Sequence, residues 1–198
     1  SLKAISTIDR FWLKDISSLE DVGVYVFYFS LIIGMTAFVH AAVISFSSPK
    51  IIKAYMQGNF ENFQLLMKNF LLELVIAMVL LIIAILGLIP FIVEWINKPT
   101  YSENYNILYI LILTAIAMII SNHPHTFLYA ARKDKFLLFS NISAVIILLG
   151  MFYIMSLIDT KGLTQVSISV LVSYIWIVCI KYFGYFYYNN QNIKIKEH

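Results

Sequence analysis

Long apolar runs, separated by short polar breaks, make up most of this chain. Five such runs have no acidic or basic residue at their centres, and they cover residues 22–46, 74–93, 104–131, 136–158 and 162–180. A helix of about 20 apolar residues crosses the hydrocarbon core of a bilayer, and the runs lack the alternation of a membrane β-barrel. The pattern therefore predicts an all-α, polytopic transmembrane helix bundle, with full spans near 22–46, 69–96, 104–131, 136–158 and 162–182.

Composition supports a membrane protein and argues against several other classes. The chain is 61% hydrophobic and 13% charged, whereas an average soluble protein has roughly 25% charged residues. The net charge is +3, but no basic soluble face is predicted, so we expect no nucleic-acid partner. The single cysteine, Cys179, lies in an apolar run and excludes an internal disulfide framework.

Basic residues are distributed unequally between the two predicted membrane sides. Positively charged loops favour the cytoplasm, so the side with more Lys and Arg is predicted to be cytoplasmic and to contain the C-terminus. The predicted cytoplasmic side has nine basic residues: Lys50, Lys53, Lys68, Arg132, Lys133, Lys135, Lys181, Lys194 and Lys196. The other side has five: Lys3, Arg10, Lys14, Lys98 and Lys161.

The longest predicted connection, residues 47–68, contains a second helical pattern. Large apolar residues recur there at spacings of three and four, which predicts a short interfacial helix; they are Phe60, Phe63, Leu66, Met67 and Phe70. Pro49 either ends the first helix or begins a new one. The polar stretch that follows 182–188 predicts a helix end that frays into solvent.

Motifs for enzyme chemistry are scarce. The nucleotide-binding, zinc-protease and serine-hydrolase signatures do not occur, so neither an enzyme nor a cofactor nor a metal is expected. The most unusual local feature is His123-Pro124-His125. On a helix, two histidines spaced two apart point about 200° from each other, which argues against one shared metal ion. A helix bent at Pro124, with two cavity-facing or interfacial histidines, is the preferred interpretation.

Ionisable residues at membrane depth are the candidates for function, because they are costly in lipid and usually face a cavity or a partner. His40, Glu73, His123 and His125 all fall on the predicted cytoplasmic side. At 1.5 Å per residue they lie roughly 8–13 Å from that boundary. One interpretation is a polar patch in a transport cavity, and the other is that each packs or snorkels separately.

A second candidate group lies near the other face. Asp9 and Arg10 belong to a segment, 5–13, that resembles the outer end of a preceding helix. These two residues form either an interfacial ion pair or a charge at the mouth of a cavity.

The order of several short motifs resembles that of bacterial polysaccharide flippases of the multidrug/oligosaccharidyl-lipid/polysaccharide exporter superfamily. The sequence IDRF at 8–11 and DVGVY at 21–25 is similar to the "DR…vGxY" passage of that family. The sequence AARKDK at 130–135 looks like a conserved interhelical turn, and Gly162 precedes the last span as a family glycine does. The residues after it, LTQ at 163–165, depart from the small residues of the family.

The resemblance implies a transporter of twelve or more helices in two lobes. Residues 1–198 would form the C-terminal lobe, with the end of helix seven and helices eight to twelve, and the missing N-terminal lobe of the same protein would be its partner. Such proteins move undecaprenyl-pyrophosphate-linked oligosaccharide for lipopolysaccharide or capsule across the bacterial cytoplasmic (inner) membrane by alternating access. The partners would thus be this lipid-linked oligosaccharide and membrane lipids. The candidate cavity residues are Asp9, Arg10, Tyr25, His40, Glu73, His123 and His125.

Three alternatives stay open from the sequence, one of which is a purely structural membrane subunit. A multidrug cation antiporter of the same superfamily would use buried carboxylates, for which Glu73 and Asp9 are the candidates. A polytopic O-antigen polymerase or glycosyltransferase would need a large outer loop with catalytic residues, and the predicted outer loops are only a few residues long.

Overall fold

The described part of the chain is built from helices, and no strand occurs within it. The computed structural model describes residues 9–10, 12–14, 16–158 and 162–194, with side chains up to 189. In chain order the elements are α1 (Leu19–Val39), a π-helical turn (His40–Ile44), α2 (Ser45–Met56), α3 (Phe60–Ile96), α4 (Pro99–Glu103), α5 (Tyr105–Ile120), α6 (Asn122–Ala130), α7 (Asp134–Leu157) and α8 (Gly162–Lys194).

Five of the continuous helical stretches are long and apolar enough to cross a membrane, as the sequence predicted. They are Leu19–Met56, Phe60–Ile96, Tyr105–Ala130, Asp134–Leu157 and Gly162–Asn189. The prediction of an all-α polytopic transmembrane bundle with five full spans is therefore confirmed. The proposed end of a preceding helix is described only in part, because residues 5–8 and 11 lie outside the described ranges.

The first two spans are longer than predicted, and the loop 47–68 is mostly helix. The helix of the first span continues past Pro49 to Met56, and α3 already begins at Phe60. The connection is only Gln57-Gly58-Asn59, in which Gly58 has a φ of 69° and Asn59 caps α3 by accepting a hydrogen bond from the Asn62 amide. The prediction ended the first span before the polar residues 47–49 and began the second after Lys68, but polar and charged residues continue a helix once it leaves the hydrocarbon core.

The apolar residues at 60–70 belong to α3 and pack against other helices, so the prediction of a separate interfacial helix is wrong. Phe63, Met67 and Phe70 are buried. The Phe63 ring lies 5.1 Å from the Tyr55 ring and 6.0 Å from the Phe127 ring, measured between centroids. The helical spacing was thus predicted correctly, but its partner is α2 and α6 rather than the membrane surface.

The helix ends show which local signals stop and start each span. Ser18 begins α1 with a capping box, since its hydroxyl accepts from the Asp21 amide and Asp21 accepts from the Ser18 amide. After α6, Arg132 adopts a φ of 55°, and the Lys133 amide donates to the Leu128 carbonyl at 2.9 Å. This is the left-handed ending that glycine favours, here formed by an arginine.

The last helix, α8, packs closely against α7 and continues beyond the predicted end. A Cβ built on Gly184 would lie 2.4 Å from Cε1 of Phe136, so the Phe136 ring of α7 lies directly against the α8 backbone there. Ser167, Ser169 and Ser173 are buried and donate to carbonyls one turn back in α8. The polar stretch after residue 188, predicted to fray, is helical to Lys194, and residues 195–198 lie outside the described ranges.

Candidate functional site

A cavity of about 500 Å³ lies among the spanning helices. It extends from exposed side chains, such as that of His40 at the start of the π-helical turn, to almost completely buried side chains on α8. The Lys181 side chain, for example, is 2% exposed. Its walls come from α1 and the π-helical turn, α5, α6, α7 and α8. The lining residues are Ile33, Thr36, Ala37, His40, Ile44, Met118, Ser121, Asn122, His125, Asn141, Tyr174, Ile177 and Lys181.

Helical geometry explains why these side chains meet. Tyr174, Ile177 and Lys181 are spaced three and four apart on α8, so they share one face. The helical run of the third span is interrupted at Ser121, three residues before Pro124, which divides it into α5 and α6. The bend predicted at Pro124 stays a prediction, and the observed feature is this one-residue interruption. It places the polar side chains at the start of α6 beside the cavity.

Some polar groups of the cavity already have partners within their own helix. The Asn122 side-chain amide donates to the Met118 carbonyl at 2.9 Å and to the Ile119 carbonyl at 3.1 Å. The Ser121 hydroxyl donates to the Met118 carbonyl at 2.8 Å. Both side chains therefore donate to carbonyls in the last turn of α5.

Other polar groups of the cavity have unused hydrogen-bonding capacity. His125 Nδ1 and Asn141 Oδ1 are buried and have no hydrogen-bond partner among the described residues. Lys181 is buried, and the described residues that line the cavity include no aspartate or glutamate. Buried polar groups nearly always have partners, so the two unpartnered atoms of His125 and Asn141 mark the inner end of the cavity as the candidate binding region.

His123 and His125 face different surroundings, as the helical spacing predicted. His123 is 5% exposed and lies between aromatic rings, 6.4 Å from Phe70 and 5.9 Å from Tyr182 between centroids. His125 lines the cavity with Lys181. In the described ranges, no three His, Cys, Asp or Glu side chains are grouped so that they could hold a metal ion.

The predicted patch of four residues is brought together only in part. His40 and His125 line the same cavity. Glu73 lies outside it, is exposed, and accepts a hydrogen bond from the Ser47 hydroxyl at 2.6 Å. His123 packs into the aromatic cluster described above. The similar depth of the four residues in the membrane was predictable from their residue numbers. Which of their side chains meet depends on the direction in which each side chain points from its helix.

The outer candidates form a separate buried contact. The Tyr25 hydroxyl donates to Asp9 Oδ2 at 2.7 Å, and the Arg10 amide donates to Asp9 Oδ1 at 2.6 Å. Asp9 and Tyr25 are both fully buried, so Asp9 is not a charge at a cavity mouth. Arg10 is half-buried, and its Nε has no partner among the described residues. None of these three residues lines the cavity around Lys181.

Sequence reasoning missed Lys181 and Asn141 as site residues. Lys181 was counted among the cytoplasmic basic residues at the end of the last span, although its spacing from Tyr174 and Ile177 already placed it on a common face. Asn141 offered no comparable signal, because one amide near the start of an apolar run is ordinary. Comparisons of the chain with protein-family models, with curated proteins and with solved structures find no match.

Proposed function

We propose that this chain is one lobe of a membrane transporter that carries an amphiphilic, lipid-linked oligosaccharide across the bacterial cytoplasmic membrane by alternating access. The observation that carries the proposal is the cavity between the spanning helices, which leads from exposed His40 to buried Lys181. Ionisable side chains at such depth are costly unless they serve a pathway or a partner.

The composition of the cavity suits a ligand with both polar and apolar parts. Amide, imidazole, hydroxyl and ammonium groups line it together with apolar side chains such as Ile33, Met118 and Ile177. The narrower substrate class, an undecaprenyl-pyrophosphate-linked repeat, is supported by the resemblance of residues 8–11 and 21–25 to polysaccharide flippases. The short connections between the described spans give little room for a catalytic domain outside the membrane, which favours transport over polymerisation.

Deletion of the intact gene tests this proposal. We expect lipid-linked repeats to be made in the deletion strain but to stay in the inner leaflet, where an impermeant periplasmic glycosidase or lectin cannot reach them. A plasmid copy should restore access. If the deletion strain makes no lipid-linked repeat at all, the protein acts in synthesis and the transport proposal is wrong.

One observation favours the antiporter as a second candidate. Asp9 is a fully buried carboxylate that accepts a hydrogen bond from Tyr25, and such a group can couple transport to a proton or sodium ion. Under this alternative, the Asp9→Asn variant should lose cation-driven drug efflux from cells. Under the flippase proposal, drug resistance should be the same in wild-type and deletion strains, while surface polysaccharide changes.

A further inference from the structure

We propose that the π-helical turn His40–Ile44 is the hinge of the first span, at which α1 and α2 change their angle to each other. The span is one continuous helical stretch, Leu19–Met56, which the turn divides into the 21 residues of α1 and the 12 residues of α2. The inference concerns the motion of this helix, so it does not depend on what the protein transports.

The first argument is the extra residue that the turn inserts into the helix. In a continuous α-helix, the residues 11 and 14 positions after Val39 lie within about 40° of its face, because 11 residues make almost three full turns. Those positions are Lys50 and Lys53, and both are exposed. The buried residues of α2 are instead Ile51 and Ala54, each one position further along. The π-helical turn therefore absorbs one residue and keeps the buried faces of α1 and α2 aligned.

The second argument is that the turn is held less firmly than the helix before it. None of its five residues is buried, whereas seven side chains of α1 are. The His40 carbonyl accepts hydrogen bonds from the Ser45 amide, five residues further on, and from the Ser45 hydroxyl at 2.9 Å. Single π-helical turns are among the few causes of sharp bends in helices. A π-helical turn without buried side chains is thus the weakest point of this span.

The third argument is that the two halves of the span are bonded to different neighbours. On α1, the Tyr28 hydroxyl donates to the Tyr101 carbonyl of α4 at 2.7 Å. On α2, the Ser47 hydroxyl donates to the Glu73 carboxylate of α3 at 2.6 Å. Each half therefore follows a different part of the bundle. Relative movement of these parts is taken up as a change of angle at the turn between them.

The expected displacement is large enough to matter for the cavity and to be measured. The 12 residues of α2 extend about 18 Å at 1.5 Å per residue. A change of about 20° at the turn moves the far end of α2 by about 6 Å. His40 and Ile44 also line the cavity, so bending at the turn changes its width. Hinged segments gate access to a site in this way.

Deletion of Ala42 tests the hinge, because it removes the π-helical turn without changing the buried face on either side. After the deletion, Ile51 follows Val39 by 11 residues, so a continuous α-helix can pack both halves as before. Ala42 is exposed, so no buried side chain is lost. The deletion is made in the intact protein, which is then reconstituted into lipid nanodiscs without any added cargo.

Pulsed electron–electron double resonance measures how widely the two ends of the span move. In a background with Cys179→Ser, one spin-label pair joins the inner ends of α2 and α7, at Met56→Cys and Lys135→Cys. The other pair joins the outer ends of α1 and α7, at Leu19→Cys and Leu157→Cys. All four labelled positions are exposed. In the wild type, we expect at least one pair to show distances spread over about 6 Å, and the deletion should narrow that distribution.

Two serines give a matched pair of substitutions that keep the chain length. The Ser45 hydroxyl donates to the His40 carbonyl of the turn, whereas the Ser30 hydroxyl donates to the Val26 carbonyl inside α1 at 2.6 Å. Both serines are exposed. Ser45→Ala should broaden the distance distribution because it removes a bond that steadies the turn. Ser30→Ala removes the same kind of bond from regular helix and should leave the wild-type width.

Three results would overturn the hinge. The first is a narrow distance distribution for both label pairs in the wild type, and the second is equal width in the wild type and the Ala42 deletion. The third is equal width in Ser45→Ala and Ser30→Ala. If the deletion does not give a monodisperse protein, the wild-type widths and the two serine variants decide the question. Because no cargo is present, these outcomes are independent of the transport proposal.

Discussion

Two buried tyrosines on α1 offer a matched test of how the outer contact is stabilised. Tyr25 and Tyr28 are both fully buried, and each hydroxyl donates a hydrogen bond of 2.7 Å. The acceptor of Tyr25 is the Asp9 carboxylate, whereas the acceptor of Tyr28 is the backbone carbonyl of Tyr101. The substitutions Tyr25→Phe and Tyr28→Phe therefore remove the same atom from the same helix and differ in the partner left behind.

The expected loss of stability in each variant follows from whether the hydrogen-bond acceptor is charged or neutral. Losing a hydrogen bond to a charged group costs about 1.5–3 kcal/mol, and losing one to a neutral group costs about 0.5–1.5 kcal/mol. Tyr25→Phe also leaves Asp9 Oδ2 without its tyrosine donor, while the Arg10 amide still donates a hydrogen bond to Asp9 Oδ1. We expect Tyr25→Phe to lower the free energy of unfolding by about 1–2 kcal/mol more than Tyr28→Phe does, from the difference between these ranges.

Unfolding in mixed dodecyl sulfate and maltoside micelles, followed by tryptophan fluorescence, would measure both losses in the intact protein. A double-mutant cycle with Asp9→Leu isolates the Tyr25–Asp9 term. In the Asp9→Leu background, Tyr25→Phe should cost little, while Tyr28→Phe should cost as much as before. Equal losses for the two tyrosine variants, or no coupling between Tyr25 and Asp9, would refute the reasoning.

Three further predictions concern packing, backbone conformation and orientation. Gly184→Ala should destabilise the protein by about 1–3 kcal/mol, because the added methyl group meets a ring of α7. Gly150→Ala, where no atom lies within 4 Å, is the control and should be neutral or stabilising in the same unfolding assay. Arg132→Gly should raise the free energy of unfolding by about 0.5–1 kcal/mol, since its φ of 55° is unfavourable for a side chain; a loss of stability would contradict this. In a background without the native cysteine, Lys133→Cys and Lys161→Cys should react with an impermeant maleimide from opposite membrane sides, and labelling of both from outside would refute the predicted orientation.

Several features of the candidate site were predictable, and the reasons are local. The different surroundings of His123 and His125 followed from the 3.6-residue helical period. The common face of Tyr174, Ile177 and Lys181 was also present in the sequence, but a lysine close to the end of an apolar run is usually a boundary residue. The burial of Lys181 depends on neighbouring helices, so its role could not be predicted from its own helix.

What the sequence determined was the number and approximate position of the spans. Length and apolarity are sufficient for this, because lipid forces every buried backbone group to pair within its own helix. Tertiary structure decided which side chains meet. It placed His125, Asn141 and Lys181 around one cavity and left Glu73 with Ser47 outside it. The physical reason is that depth depends on residue number alone, whereas contact depends on the rotation and packing of each helix against its neighbours.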